Sequence, residues 1–581
     1  TADEQQGDAV YNMYMHMHIP AVMKSKALVP IVVILVTCIK VLLIPSYRST
    51  DFDVHRNWLS VTRHLPSDQW YFYDANETTV HTLDYPPLFA FFELFWSSPH
   101  NFLTQFLLSH YYYNLDHECL SLRPDHDNEP SAQCVVFQRV TVILSDLIFL
   151  MGSHLASKAM EVVARRDDND DHHVSCYNTT MILLLLNPGL LWLDHVHFQY
   201  NGMLLGLLLG SMACLVQAFF QQGTLLLHAN ILGGAILFGL LVGMKHLYLT
   251  LAPLYFVYLL RHYCFVPRSH DNNSKTSSSV YFSMPRLLLL GTVTLVVLVV
   301  PFVPFASKEQ LMQILVRLFP FQRGLCHDYW AANVWALYLF ANKCLRFVSR
   351  RHYIIQSLLP LDVPPSFVAL LLFMGLVPAL VCAWKSSSTL NSKVSSTVVS
   401  NDPNSRKRTV SFESSGTFFV HAVVFSAMSS FMLGYHVHEK AIMTAIVPMT
   451  LLATQSLEHA RLYLRLSALG HFGIVPLLYR SVETPLVICS YMAFSTLAHY
   501  LLQSSSSSSS CMSMNHCNDT NGRHRNVVMI MLLPTPWDRF GMYYVLPALA
   551  FLLLVVHPLV LQPREMMEFL PLLATSVILV L

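Results

Sequence analysis

The sequence predicts an all-α polytopic membrane protein, and three observations carry that prediction. Hydrophobic residues outnumber charged ones by 54% to 12%, mean hydropathy is +0.44, and apolar runs of membrane length recur from one end of the chain to the other. A soluble core needs no such repetition. In hydrocarbon every backbone N–H and C=O must be satisfied within its own segment, so these runs read as helices. Charge is balanced, with 36 Lys and Arg against 35 Asp and Glu and a formal net charge of +1 over 581 residues. That balance gives no footprint for a nucleic-acid partner, and charge informs topology only.

Residues 1–26 open with a polar stretch and read as a cytoplasmic N-terminal segment; the chain starts at Thr1, which leads us to expect a missing true N-terminus. No cleavable signal peptide is visible, and the run Ala27 to Pro45 is long enough to span and stay. Residues 46–133 read as a long luminal loop, in which the aromatic stretch Pro86 to Leu108 lies along the interface. Six spans follow within 134–306, beginning with Cys134 to Ala156 and Thr179 to Leu193 and including Leu247 to Leu260. A second luminal loop covers 307–365, and up to seven spans fill 366–581, including Ala441 to Gln455, Tyr543 to Leu559 and Phe569 to Leu581. The total is about twelve to fourteen. Ser-rich, basic inserts at 261–285, 385–416 and 504–526 read as flexible cytoplasmic loops, as does Arg165 to Asp171. With these inserts on one side, parity places all the polar motifs on the other, provided Pro86 to Leu108 does not cross.

Four polar constellations stand out. The first is Ser49-Thr-Asp-Phe-Asp-Val-His-Arg-Asn-Trp58 with Leu83-Asp-Tyr-Pro-Pro87, which sets Asp51 and Asp53 directly after an apolar run. Carboxylates so near a bilayer are expensive unless they act, and an acid beside an Arg, a His and a Trp suits sugar chemistry. The second is Trp192-Leu-Asp-His-Val-His-Phe-Gln-Tyr-Asn-Gly202, where Asp194, His195 and His197 form a conceivable metal set. The third is Phe319-Pro-Phe-Gln-Arg-Gly-Leu-Cys-His327 and the fourth Gly434-Tyr-His-Val-His-Glu-Lys440. One such cluster alone reads as interfacial anchoring; four on one face favour a shared site.

Taken together these motifs resemble the dolichyl-phosphate-glucose-dependent α-1,3-glucosyltransferases of the endoplasmic reticulum, which build the asparagine-linked glycan precursor. His55, Val196 and the Arg-Gly-Leu-Cys-His run point to the member that adds the second glucose. The resemblance implies a type C glycosyltransferase fold, with long luminal loops carrying interfacial helices and the active site at the luminal edge of a multi-pass membrane protein. It implies inverting transfer from dolichyl phosphate β-glucose to a monoglucosylated dolichyl-diphosphate oligosaccharide, by a monomer surrounded by membrane lipid and without a cofactor. One carboxylate then serves as base, Asp51 by motif position, with Asp53 as its competitor. The other expected substrate contacts are Arg56, Trp58, Asp84, Tyr85, Asp194, His195, His197, Gln199, Arg323, His327, His436, His438, Glu439 and Lys440. Among these, Arg323, His438 and Lys440 are the candidates to balance the leaving phosphate. Metal is not expected, because the donor lacks the diphosphate that pairs with Mg²⁺.

Most of the 12 cysteines lie in spans, and Cys119 and Cys134 could form a luminal disulfide. Of four glycosylation sequons only Asn76 is luminal in this topology; Asn178, Asn272 and Asn518 are not. Three rival functions remain at this stage: the first glucosyltransferase, acting on an unglucosylated acceptor; a lipid-linked mannosyltransferase; and a lipid-linked sugar transporter, against which the absence of an internal repeat counts.

Overall fold

A computed structural model describes residues 25, 27–73, 81–98, 119–122, 129–164, 170–218, 224–267, 280–326, 331–349, 363–386, 415–478 and 483–513. Helix α1, Leu28–Leu42, leads into the polar helix α2, Thr50–His64, and the short aromatic helix α3, Pro87–Ser97. Next come α4, Ala132–Ala164, and α5, Asp170–Leu185, which breaks at Asn187-Pro188 and resumes as a widened π turn over Leu191–Phe198. Then α6, Asn201–Ala218, and α7, Thr224–Met244, are followed by a 3-10 turn, His246–Leu251, and by α8, Ala252–Leu259. A two-stranded hairpin, β1 Phe265–Pro267 with β2 Val280–Phe282, precedes α9, Met284–Val299. Helices α10, Lys308–Leu318, and α11, Val334–Ser349, lie between α9 and α12, Pro365–Lys385. The last described elements are α13, Ser415–Leu433, the 3-10 turn Glu439–Ile442, α14, Met443–Ala453, α15, Leu457–Ile474, and α16, Thr484–Ser513.

Among the described residues eight helices are long and apolar enough to cross a membrane. Their outer faces carry the apolar surface that a lipid environment stabilises: in α9 only 6% of the spanning window is buried, with Leu288, Leu295 and Val300 about three-fifths exposed. The inner helices are the reverse, with 83% of the α6 window buried. Helices α4 and α6 touch backbone to backbone, since a Cβ on Gly206 would lie 2.5 Å from the Ile148 carbonyl oxygen.

Several predicted elements differ in detail. The Asp51 motif, read as part of the luminal loop 46–133, is the first turn of α2, a helix buried along most of its length. Within the stretch Pro86 to Leu108 the described residues form an 11-residue helix, α3, roughly 16 Å long; residues 99–108 lie outside the described residues. The predicted span Leu247 to Leu260 is divided, because Pro253 in the first turn of α8 lacks the N–H that would continue a helix from the preceding turn. The insert 261–285 is not wholly loop: Phe265 pairs with Phe282 and their rings meet at 5.3 Å, aromatic strand chemistry at the mouth of the insert. The insert at 504–526 begins as helix, for α16 continues through the serine run to Ser513. Extending a nucleated helix by a Ser costs only about half a kcal/mol. The predicted spans Tyr543 to Leu559 and Phe569 to Leu581, and residues 387–414, lie outside the described residues.

Candidate active site

Four chain segments meet at Asp51. Helix α2 is capped by Ser49, whose hydroxyl accepts the Asp51 N–H at 3.2 Å, and the helix dipole favours a carboxylate in this first turn. The same hydroxyl donates to the His197 carbonyl, which also accepts the Ser49 N–H at 3.3 Å, so the cap fixes α2 to the end of the π turn. Phe198, with φ +86°, turns the chain sharply there; it carries His197 and Gln199 toward the carboxylate while its own ring packs on Phe52 at 5.1 Å.

Three donors converge on a single oxygen of Asp51. Oδ2 accepts from Lys440 Nζ at 2.8 Å, from His197 Nε2 at 3.1 Å and from the Gln199 amide. Oδ1 has no partner among the described residues, and the side chain keeps 26% exposure. Burial pushes the carboxyl up, but the Lys440 charge and the bonds from His197 and Lys440 outweigh it and hold Asp51 well below the ordinary carboxylate range. The result is an ionised carboxylate anchored through one oxygen and open at the other.

Asp53 sits two residues along α2, about 200° around the helix, and so faces elsewhere. It pairs with Arg56 at 3.4 Å. Burial raises its carboxyl above the ordinary range, with Arg56 offsetting part of that. Asp84 meets Arg323 at 3.4 Å with both groups partly exposed, and burial raises the Asp84 carboxyl despite Arg323. Tyr85 packs against Trp58 with its ring tilted and 5.0 Å away, and carries the Lys245 ammonium 5.0 Å above its ring. His436, with φ +53°, bonds the Leu325 carbonyl through its N–H and the Gly324 carbonyl through Nδ1, which brings the third and fourth sequence motifs together. His438 begins the turn that presents Lys440, its ring 5.6 Å from that of His436.

The family model for ALG6, ALG8 glycosyltransferases matches residues 36–581 of this chain. The chain belongs to the ALG6, ALG8 glycosyltransferase family. Relatives named dolichyl pyrophosphate Glc1Man9GlcNAc2 alpha-1,3-glucosyltransferase share 39% identity over 479 residues in Mus musculus, 79% of each chain. They share 36% over 482 residues in Bos taurus, 79% of each chain, and 35% over 470 in Arabidopsis thaliana, 78% of this chain and 77% of that one. Membership makes this protein a glycosyltransferase of the type C fold, which the predominantly helical architecture fits.

Several of the expected substrate contacts have protein partners other than Asp51. Trp58 is 2% exposed and its indole N–H donates to the His81 and Thr82 carbonyls at 3.2 Å, which makes it a strut behind Asp84 and Tyr85. Asp194 caps α6, accepting from the Asn201 N–H at 3.1 Å and from the Gly202 N–H. His195 turns away to Asp146 at 2.7 Å, where Lys40 also binds at 2.6 Å. The expected set Asp194, His195 and His197 therefore diverges onto three different partners. Glu439 is 3% exposed, and neither carboxyl oxygen has a hydrogen bond among the described residues. His327 and Asn76 lie outside the described residues. Cys119 and Cys134 form the disulfide that their loop position suggested.

Sequence reasoning overlooked Arg139, whose guanidinium donates to the Tyr47 and Val196 carbonyls at 2.8 and 2.9 Å and so binds the segment before α2 to the π turn. It also overlooked Asp146, Lys40 and Lys245. The available signal was a charged residue inside or at the edge of an apolar run, which is costly in hydrocarbon unless it has a partner.

Proposed function

We propose that this protein transfers glucose from dolichyl phosphate β-glucose to the monoglucosylated dolichyl-diphosphate oligosaccharide, adding the second α-1,3-linked glucose at the luminal face of the endoplasmic reticulum membrane. The observation that carries this reading is the half-occupied Asp51 carboxylate. A β-linked donor giving an α-linked product inverts the anomeric carbon, which requires one in-line displacement and one base. Asp51 Oδ1 accepts the proton of the acceptor hydroxyl as that oxygen bonds to C1. The C1–O bond to phosphate breaks, and its electron pair leaves with dolichyl phosphate.

Phosphate is acidic enough to leave unprotonated, so the site needs cations near it and no general acid. Lys440 is placed for this, and its movement toward the donor phosphate would also release Asp51 from the charge that depresses its basicity. Arg323, beside Asp84, is open enough to bind sugar or phosphate oxygens. Transfer then proceeds without a divalent metal and in a monomer. The names of the relatives, which specify a Glc1Man9GlcNAc2 acceptor, support the second-glucose assignment. Transfer from dolichyl phosphate glucose by the purified protein, offered monoglucosylated and unglucosylated lipid-linked acceptors separately, tests it. Preference for the unglucosylated acceptor overturns the assignment, and complete loss of transfer in EDTA, restored by Mn²⁺ or Mg²⁺, overturns the metal-free mechanism.

A further inference from the structure

Lys245 follows the last turn of α7, its N–H on the Leu241 carbonyl at 3.0 Å and its carbonyl accepting from Tyr248 at 3.3 Å. The side chain is 8% exposed. Apart from the Tyr85 ring 5.0 Å away, its ammonium has no hydrogen bond and no ion pair among the described residues. The carboxylates around it are already engaged: Asp51 by Lys440, Asp84 by Arg323, and Asp194 by the α6 N-terminus. A buried ammonium without an anion is strongly disfavoured, and a protein keeps one where an anion will arrive.

The surroundings specify which anion. The turn that follows Lys245 and the segment that flanks Lys440 are two walls of one cleft, with α13 as the third. It is a small cleft lined by Leu247, Tyr248, Phe431, Val437, Ala441 and Thr444. The ring beneath the ammonium is Tyr85, next to the Asp84–Arg323 pair, and Asp51 and Lys440 both act on the ammonium by charge, so the anion that completes this site is one that binds beside the base.

We propose that Lys245 is a ligand of the donor phosphate, closing with Lys440 on the phosphodiester. The assignment rests on the donor named in the preceding section. The donor phosphodiester carries one negative charge and departs as a monoester carrying two, so both lysines gain interaction energy as the C1–O bond breaks. Burial, and then repulsion from Lys440, lowers the Lys245 ammonium to about 7, against the attraction of Asp51, Asp194 and Asp84. Tyr85, His246 and Tyr248 are the remaining titratable groups that adjoin it. The empty site is thus poised to take up a proton as the phosphate binds.

The test uses the full chain in lipid nanodiscs, wild type beside Lys245→Met and Lys245→Arg, with transfer followed from about pH 6 to about pH 9. Inhibition by dolichyl phosphate and by dolichol, which lacks the phosphate, is measured on the same samples. Lys245→Met is expected to lower kcat/KM for the donor about a hundredfold with the acceptor KM unchanged. Dolichyl phosphate should inhibit it at least about tenfold more weakly than wild type, with dolichol unaffected. Lys245→Arg, which keeps the charge and bulk should the Met variant fold poorly, is expected to move the alkaline fall in donor kcat/KM to higher pH. Undiminished inhibition of Lys245→Met by dolichyl phosphate, or an alkaline limb unmoved in Lys245→Arg, overturns the proposal. Wild type that ignores dolichyl phosphate glucose but uses another donor overturns the donor reading itself, and this assignment with it.

Discussion

A single turn of helix separates the two carboxylates that the sequence left in competition. Asp51 and Asp53 are the same residue type and equally close to the motif residues, but α2 directs them to opposite sides, and only Asp51 reaches His197, Gln199 and Lys440. Asp51→Asn should therefore cut transfer by at least about a hundredfold with expression and donor binding kept, while Asp53→Asn retains most activity. Steady-state transfer by the two variants checks this, and the reverse ranking would transfer the role to Asp53. Glu439 presents the opposite case, a motif residue that reads as site chemistry yet is buried. Burial raises its carboxyl from the ordinary 4.5 up to about 8, with the Lys440 charge lowering it only in part. Because the folded value is the higher one, its favourable contribution is complete below the unfolded value and is lost as pH rises toward the folded one. Glu439→Gln has no such proton, so thermal melting across pH should show the variant gaining on wild type between about 5 and about 8. Equal slopes would place that carboxyl in contact with water. The adjacent Lys440 reaches Asp51 while Glu439 does not, a difference in direction between neighbours that no motif comparison contains.

At the scale of elements, hydropathy located most of the described helices, since an apolar run of bilayer length has few other stable forms. It did not locate α2, whose composition is polar and whose burial comes from neighbours far along the chain. Nor did it find the π turn, which makes the Asp194 to His197 motif part of a span's end. The glycine spacing along α6 was legible and went unread. Gly206 meets α4 through backbone atoms, Ile148 O at 2.5 Å and Phe149 Cα at 2.6 Å from an added Cβ, so an alanine there must force the two helices apart. Gly210, one turn on, would meet only a Leu237 methyl at 3.3 Å, which can move. Because α4 carries Arg139 and Asp146 while α6 carries the end capped by Asp194, separating them would also disturb the anchor of α2. Gly206→Ala is expected to destabilise by on the order of 2 kcal/mol or more and to lower transfer, with Gly210→Ala close to wild type. Thermal shift of both variants in the same detergent decides it; equal melting temperatures would mean that the helix contact is looser than described.

For the whole molecule, the convergence of distant motifs on one end was legible because parity and charge bias constrain which loops can share a face. What brings them into contact was not legible, since it depends on buried pairs such as Arg139 with the Tyr47 carbonyl and His195 with Asp146. The same geometry predicts orientation. Residues 74–80 join Tyr73 to His81, and both sides of that join belong to the active end: Trp58 bonds the His81 carbonyl, and Tyr71 bonds the Tyr85 carbonyl at 2.8 Å. Tyr73 and His81, which flank Asn76 in sequence, therefore stand on the face that holds Asp51. The chain runs from Lys245 through α8 to the hairpin, then returns along α9 to Phe305, which packs 5.6 Å from Tyr71. The strands that flank Asn272 in sequence, Phe265–Pro267 and Val280–Phe282, stand at the other end of α9. A disulfide between Cys119 and Cys134 at the active end suits an oxidising lumen. Glycan should accordingly be found at Asn76 and not at Asn272, while Asn178 is sequestered, its amide bonded to the Ser25 carbonyl at 3.3 Å. Endoglycosidase shifts on single Asn→Gln variants made in a eukaryotic membrane report this directly. A shift abolished by Asn76→Gln alone sets the Asp51 carboxylate in the lumen, whereas glycan on Asn272 would invert the protein and remove the site from the compartment where its acceptor is proposed to be extended.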